Sequence, residues 1–169
     1  PHVIAQSDDE MRYLQEDLGS RSLFDAIKGG RDSGGRYNKE EKELLKRTIR
    51  ELPNLQMRGA RGMDFSVCYP QPEFDIANVL FDLNYFKYCF LKPSGLEFNE
   101  VILQDEFEKL ADELMDASLL CDKEGNIYGG NTFMYRDFQS RNVMIYESHP
   151  YFIDFQGGRK GPVHYDVAS

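Results

Sequence analysis

Three short apolar runs close to one another near the C-terminal end constrain this chain most. Residues 132–135 (Thr-Phe-Met-Tyr) read as a short strand that feeds a polar loop. Residues 143–146 (Val-Met-Ile-Tyr) and 151–153 (Tyr-Phe-Ile) read as two further strands, with Glu-Ser-His-Pro between them as turn chemistry. Asp137 opens the loop, Asn142 closes it, and Asp154 follows the last run. If the last two runs pair as a hairpin, Asn142 and Asp154 return to the same end of it.

A carboxylate, an amide and a second carboxylate in this order suit phosphoryl transfer from Mg-ATP. That reaction needs one group to accept the proton of the attacking hydroxyl, and oxygen ligands for the magnesium that bridges the phosphates. Asp137 fits the first role, and Asn142 and Asp154 fit the second. Three ordinary strands with polar caps would share the periodicity. The Arg-Asp, four residues, Asn spacing of Arg136, Asp137 and Asn142 is what favours the kinase pattern.

The remainder reads as helices behind two strands. Val3-Ile4-Ala5 and residues 11–15 are short strands joined by an acidic turn, and Ser20 is placed to cap a short helix through Ile27. Residues 29–35 are glycine-rich and lack the Gly-Lys-Ser/Thr ending of a phosphate loop, so they read as a flexible loop. Asn38 begins a helix to about Leu52, where Pro53 is expected to stop it. A long helix is expected from Pro72 to about Leu91, with Asp75 and Asp82 on one side, and another from Asn99 to Leu120. Val101, Leu103, Phe107, Leu110, Leu114 and Met115 are its core candidates, and residues 123–126 are a loop. The class is α+β with helices dominating.

The chain has 169 residues, enough for one domain or one large lobe. A net charge of −9 argues against nucleic acid, which demands clustered Lys and Arg. No apolar run approaches the ~20 residues of a membrane helix. Cys68, Cys89 and Cys121 are odd in number and scattered, which fits a reducing cytoplasm. The histidines show no metal-ligand spacing. The start at Pro1 and the end at Ser169 give the expectation of a piece cut from a longer protein with further domains.

Residues 135–142 (Tyr-Arg-Asp-Phe-Gln-Ser-Arg-Asn) resemble the catalytic loop of the aminoglycoside phosphotransferase and choline kinase family, a relative of the protein kinases in fold. Ile153-Asp154-Phe155-Gln156 resembles its metal-binding segment, and residues 161–169 the stretch that follows. The resemblance implies that Asp166 braces the catalytic loop, with Arg136 or Arg141 holding it through a carboxylate. Residues 13–19 resemble the hinge between the lobes, which implies that Gln15, Glu16 and Asp17 meet the adenine of ATP. The wording of residues 17–21 and 137–142 is most similar to bacterial cell-wall amino-sugar kinases. The resemblance therefore implies a protein kinase-like fold, with residues 1–17 closing the N-terminal lobe and forming the hinge. Residues 18–169 form the mainly helical C-terminal lobe, truncated at its C-terminal end.

The implied activity is an ATP- and Mg²⁺-dependent transfer to a hydroxyl of a small molecule, a sugar, amino sugar or choline-like acceptor. Asp75 and Asp82 are candidate acceptor contacts. The family's glycine loop and phosphate-binding Lys precede the hinge, whereas Lys28 is the first lysine here. The expectation is thus an inactive fragment of an active enzyme. The alternative is a catalytically silent kinase-like module that holds a nucleotide or a partner. A metal-dependent hydrolase would want more His ligands and has no use for a hinge.

Overall fold

The computed structural model describes residues 1–116 and 132–169, which form two compact units. One unit contains Pro1–Asn54 and Asp137–Gln156 with Ser169; the other contains Leu55–Arg136 and Gly157–Ala168. The expected loop at 123–126 and the expected helix end at 117–120 lie outside the described residues.

The first unit opens with β1 (Val3–Gln6) paired antiparallel to β2 (Tyr13–Gln15). A short helix, α1 (Leu23–Ala26), follows. Its cap is Ser22 rather than Ser20: the Ser22 backbone is extended, and its hydroxyl accepts from the Asp25 N–H at 3.1 Å. Residues 29–32 of the glycine-rich stretch are not the expected loop but part of α2 (Lys28–Asp32), while residues 33–35 form a turn after it. Gly30 is buried so tightly that a Cβ there would lie 2.1 Å from Cδ1 of Tyr37, and contact of this kind overrides glycine's poor helix propensity.

The next helix, α3 (Lys39–Arg58), starts where the sequence places it. Asn38 and Glu41 form a reciprocal cap: the Asn38 Oδ1 accepts from the Glu41 N–H at 3.0 Å, and the Glu41 Oε2 accepts from the Asn38 N–H at 2.8 Å. The other carboxylate oxygen of Glu41 accepts from the Gly30 N–H at 2.8 Å, tying α2 to α3. The helix does not stop at Pro53 but contains it. Pro53 and Ile49 are both exposed, so the Ile49 carbonyl that proline leaves unbonded faces water. Strands β4 (Val143–Tyr146) and β5 (His149–Phe152) form the expected hairpin, with Tyr146 opposite His149, so His149 and Pro150 belong to the strand and not to the expected turn. Its two-residue turn, Glu147-Ser148, has φ of +46° and +64°. Leu23, Ile27, Val143 and Ile145 form the core, with Leu44, Leu45 and Phe152 against it. Burial of each such aliphatic side chain contributes about 1.5–3 kcal/mol.

In the second unit, α4 (Ile76–Phe86) is shorter than expected and runs into a π-helical turn, Lys87–Leu91. Asp75 is its cap, exchanging hydrogen bonds with Asn78, so the helix cannot begin at Pro72. Asn99 caps α5 (Glu100–Asp116), whose buried residues are Phe107 and Ala111; the core candidates Val101 and Leu110 are exposed. Strand β3 (Phe133–Met134) pairs antiparallel with β6 (Arg159–Lys160), and α6 (Val163–Ala168) follows. Phe74, Val79, Ala111 and Met134 make the core, and Tyr165 packs edge-on against Phe74 at 4.8 Å. Among the described residues no helix is long and apolar enough to cross a membrane.

Candidate functional site

The loop between β3 and β4 is shaped by its own polar groups. Within the first unit, the Asp137 carbonyl accepts from the Gln139 N–H at 2.8 Å, and the Gln139 carbonyl accepts from the Asn142 N–H at 2.9 Å. Residues Ser140–Asn142 form one 3₁₀ turn. The buried Asn142 side chain donates its Nδ2 to the Asp137 carbonyl at 3.0 Å. That bond turns the Oδ1 of Asn142 the other way, and oxygen is the atom a hard cation takes. The Asp137 side chain is exposed.

Asp154 returns to Asn142 because the ladder continues past β5: the Ile153 N–H donates to the Asn142 carbonyl at 3.0 Å. Asp154 is exposed and has φ of +73°, a left-handed backbone that costs most residues about 1–2 kcal/mol and that Asp tolerates better than most. A cleft of about 460 Å³ in this unit is lined by Asn142, Asp154, Phe155 and Gln156, and also by Tyr13 and Gln15 from β2. Gln15 and the Asn142–Asp154 pair, singled out on separate grounds in the sequence, thus share one cleft. Glu16 and Asp17 do not line it: a Glu16 oxygen accepts from the His2 N–H at 3.3 Å, and an Asp17 oxygen accepts from the Gly19 N–H at 2.8 Å. Arg141 lies with its guanidinium 3.9 Å from the Phe24 ring centroid, and Arg31 lies over the same ring at 3.4 Å.

In the second unit Asp166 is fully buried. One of its oxygens accepts from the Arg136 N–H at 2.7 Å; the other accepts from the Tyr135 N–H at 3.0 Å and from Nε2 of Gln56 at 2.8 Å. Gln56 also donates to the Val163 carbonyl at 2.9 Å. Arg136, one peptide bond before Asp137, has φ of +76°. Asp82 accepts from the Tyr165 hydroxyl at 3.0 Å, while the Asp75 carboxylate caps α4. Burial first, then the Asp82 carboxylate, pushes the Tyr165 hydroxyl above its ordinary value.

Residues 71–169, more than half of the chain, match the family model described as the phosphotransferase enzyme family. The chain belongs to the phosphotransferase enzyme family. The match takes in Asp137, Asn142, Asp154 and Asp166. A protein of Neisseria meningitidis serogroup B named N-acetylmuramate/N-acetylglucosamine kinase is 28% identical over 170 residues, covering 100% of this chain and 45% of that protein. A Pseudomonas aeruginosa protein of the same name is 26% identical over 168 residues, covering 99% of this chain and 42% of that protein. The chain spans less than half the length of the curated relatives it matches.

The donor set of this family member fits a magnesium ion. An amide oxygen and one exposed carboxylate are oxygen ligands at one end of a hairpin, and Mg²⁺ commonly takes one or two protein oxygens and fills its shell with phosphate and water. Sequence reasoning missed Gln56 and Arg159. Gln56 lies past the point where the sequence reading stops the helix, and nothing marks its buried carboxylate partner 110 residues on. Arg159 is 2% exposed, and no pattern in its neighbouring sequence marks an arginine as buried.

Proposed function

We propose that the full-length protein is a kinase that passes the γ-phosphoryl group of ATP to a hydroxyl of an amino sugar such as N-acetylmuramate or N-acetylglucosamine. The observation that carries this reading is the cleft in which Gln15, Asn142 and Asp154 meet, with Asn142 bonded back to the Asp137 carbonyl. Family membership and the names of the two relatives support the reaction type and the acceptor class.

Asn142 and Asp154 would hold magnesium, which when bound would offset the negative charge of the phosphate groups. Asp137 orients the acceptor hydroxyl and takes its proton as the phosphoryl group moves. Gln15 offers backbone groups to the adenine edge, with Glu16 and Asp17 shaping the turn behind it. Asp166 holds the peptides of Tyr135 and Arg136 still, and Gln56 holds Asp166. Arg141, stacked on Phe24, fixes the loop residue next to Asn142. Asp82, whose carboxylate accepts from the Tyr165 hydroxyl, is the acceptor contact in this reading, and Asp75 anchors the start of the helix that carries Asp82.

The test uses the full-length protein with Mg-ATP and each amino sugar, following ADP release. Acceptor-dependent ADP that vanishes in Asp137→Asn, with nucleotide binding kept, is the expected result. Undiminished turnover in that variant would refute the role of Asp137, and ATP binding without turnover of any acceptor would favour the silent module.

A further inference from the structure

Phe24, on α1, carries a cation on each face of its ring. The guanidinium carbon of Arg31 lies 3.4 Å from the ring centroid and that of Arg141 lies 3.9 Å from it. Two guanidinium carbons so close to one centroid would overlap if they shared a face, so the ring is sandwiched between them. As a device for stability alone this arrangement is poor. Two like charges approach each other across a single ring, and a cation over an aromatic at an exposed site contributes little. The carboxylate near both, that of Asp25, accepts from the Ser22 hydroxyl at 2.6 Å.

The two cations are held differently. Arg31 is anchored: its Nη1 donates at 2.9 Å to the carbonyl of Phe24, the residue whose ring it covers, and its Nη2 lies 3.6 Å from the Asp32 carboxylate. Phe24 is anchored too. Its neighbour Leu23 is in the core, and the Arg21 carbonyl accepts from the Ile145 N–H at 2.8 Å, which ties the entry of α1 to β4. Arg141 is exposed and, among the described residues, makes no hydrogen bond or ion pair, so the Phe24 ring is what holds its side chain. It does not line the cleft of Asn142 and Asp154. It is the middle residue of the 3₁₀ turn Ser140–Asn142, one peptide bond before Asn142. An effect of the stack on that cleft is therefore passed on through the Asn142 backbone.

We propose that Phe24, backed by Arg31, is a positioning residue for magnesium: by pinning Arg141 it holds the 3₁₀ turn so that the Asn142 Oδ1 stays aimed at the ion. The inference rests on the reading of Asn142 as a magnesium ligand given above. The Asn142 bonds to the Asp137 and Gln139 carbonyls and to the Ile153 N–H lie within the loop and the hairpin. The Phe24 stack ties the turn to a different element, α1, and so fixes the loop against the core of its unit. Mg²⁺ demands near-ideal octahedral geometry, so a ligand that wanders weakens the ion's hold more than the nucleotide's own.

The experiment measures ATP affinity of the full-length protein by calorimetry, without Mg²⁺ and over a series of Mg²⁺ concentrations. The readout is the gain in ATP affinity that Mg²⁺ brings. Phe24→Leu keeps an apolar side chain at a half-buried position and removes the ring. It is expected to cut the Mg²⁺-dependent gain by about three- to fivefold, the size of a cation–π contact, and to leave the Mg²⁺-free affinity unchanged. Phe24→Tyr is expected to restore the gain, Arg141→Ala to lose it by the same factor, and Arg31→Met to lose part of it. In ADP-release assays the Mg²⁺ concentration for half-maximal rate is expected to rise by that factor in Phe24→Leu. If Phe24→Leu does not fold, Arg141→Ala, at an exposed position, carries the same test. A gain equal to that of wild type in these variants overturns the inference. So does a loss of ATP affinity of the same size with and without Mg²⁺, or a Phe24→Tyr variant that behaves like Phe24→Leu. In those outcomes the wild-type gain stands, and the metal reading with it. A wild type whose ATP affinity ignores Mg²⁺ sinks the metal reading and this inference together.

Discussion

Replacing Asp166 by Asn changes one atom of a buried side chain, and its effect can be worked out bond by bond. Among the described residues three donors meet the carboxylate: the N–H groups of Arg136 and Tyr135, and Nε2 of Gln56. An asparagine amide keeps one acceptor oxygen. The less costly orientation sets its NH2 toward Arg136, which is half-buried, and keeps the oxygen for Tyr135 and Gln56, which are buried. The Arg136 bond is then lost, at about 1–2 kcal/mol. The other two change from charge-assisted to neutral bonds and weaken by about 1 kcal/mol each. The sum is a destabilisation of about 3–4 kcal/mol, a large part of the ~5–15 kcal/mol of a typical domain. Urea unfolding at neutral pH measures it, with an unchanged m-value as the sign that only stability moved. Asp154→Asn is the control: it is exposed, and Asn accepts the left-handed backbone, so stability is expected to stay within about 0.5 kcal/mol. A loss below about 1 kcal/mol in Asp166→Asn would refute the bond count and the bracing role with it.

Three further perturbations test other parts of the fold. Glu147→Asn with Ser148→Gly puts residues that favour positive φ into the β4–β5 turn and is expected to add about 1 kcal/mol, read as a higher melting temperature. Pro53→Ala returns an N–H to the interior of α3 and is expected to stabilise by roughly 1–2 kcal/mol, less than the full ~3 kcal/mol propensity difference because proline also restricts the unfolded chain; no gain would mean that the Ile49 carbonyl is fully satisfied without it. The N–H groups of Asn38, then of Gly30, lower the Glu41 carboxyl from its ordinary value of 4.5. A depressed carboxyl stabilises above its unfolded value and loses that contribution as the pH falls through its folded one. The melting-temperature gap between wild type and Glu41→Gln is therefore expected to be widest at neutral pH and to close as the pH drops below 4.5.

What could be read from the sequence was local. The β4–β5 hairpin and the Asn38 cap follow from alternation and from capping residues a few positions apart, and both formed as expected. The errors came from contacts between distant residues. Glycines 29 and 30 joined a helix because Tyr37 and Glu41 close over them. Pro53 stayed inside α3 because the side of the helix it disturbs is wet. In the site, Asn142 and Asp154 were legible because a hairpin register brings them together. Gln56 and Arg159 were not, because their burial and their partners are set by packing that no short window contains.

The left-handed backbone at Asp154 bears on how such a chain drifts under mutation. Only Gly, Asn and Asp sit comfortably there, and of the three only Asp carries a charge. Glu, the conservative choice by charge, tolerates that backbone less well than Asp does. The replacements that the fold accepts are those that remove the carboxylate, and a single-nucleotide change takes an Asp codon to Asn. Selection for a folded protein alone would leave position 154 unprotected. An acidic residue kept at this position across relatives would therefore point to selection on chemistry rather than on stability.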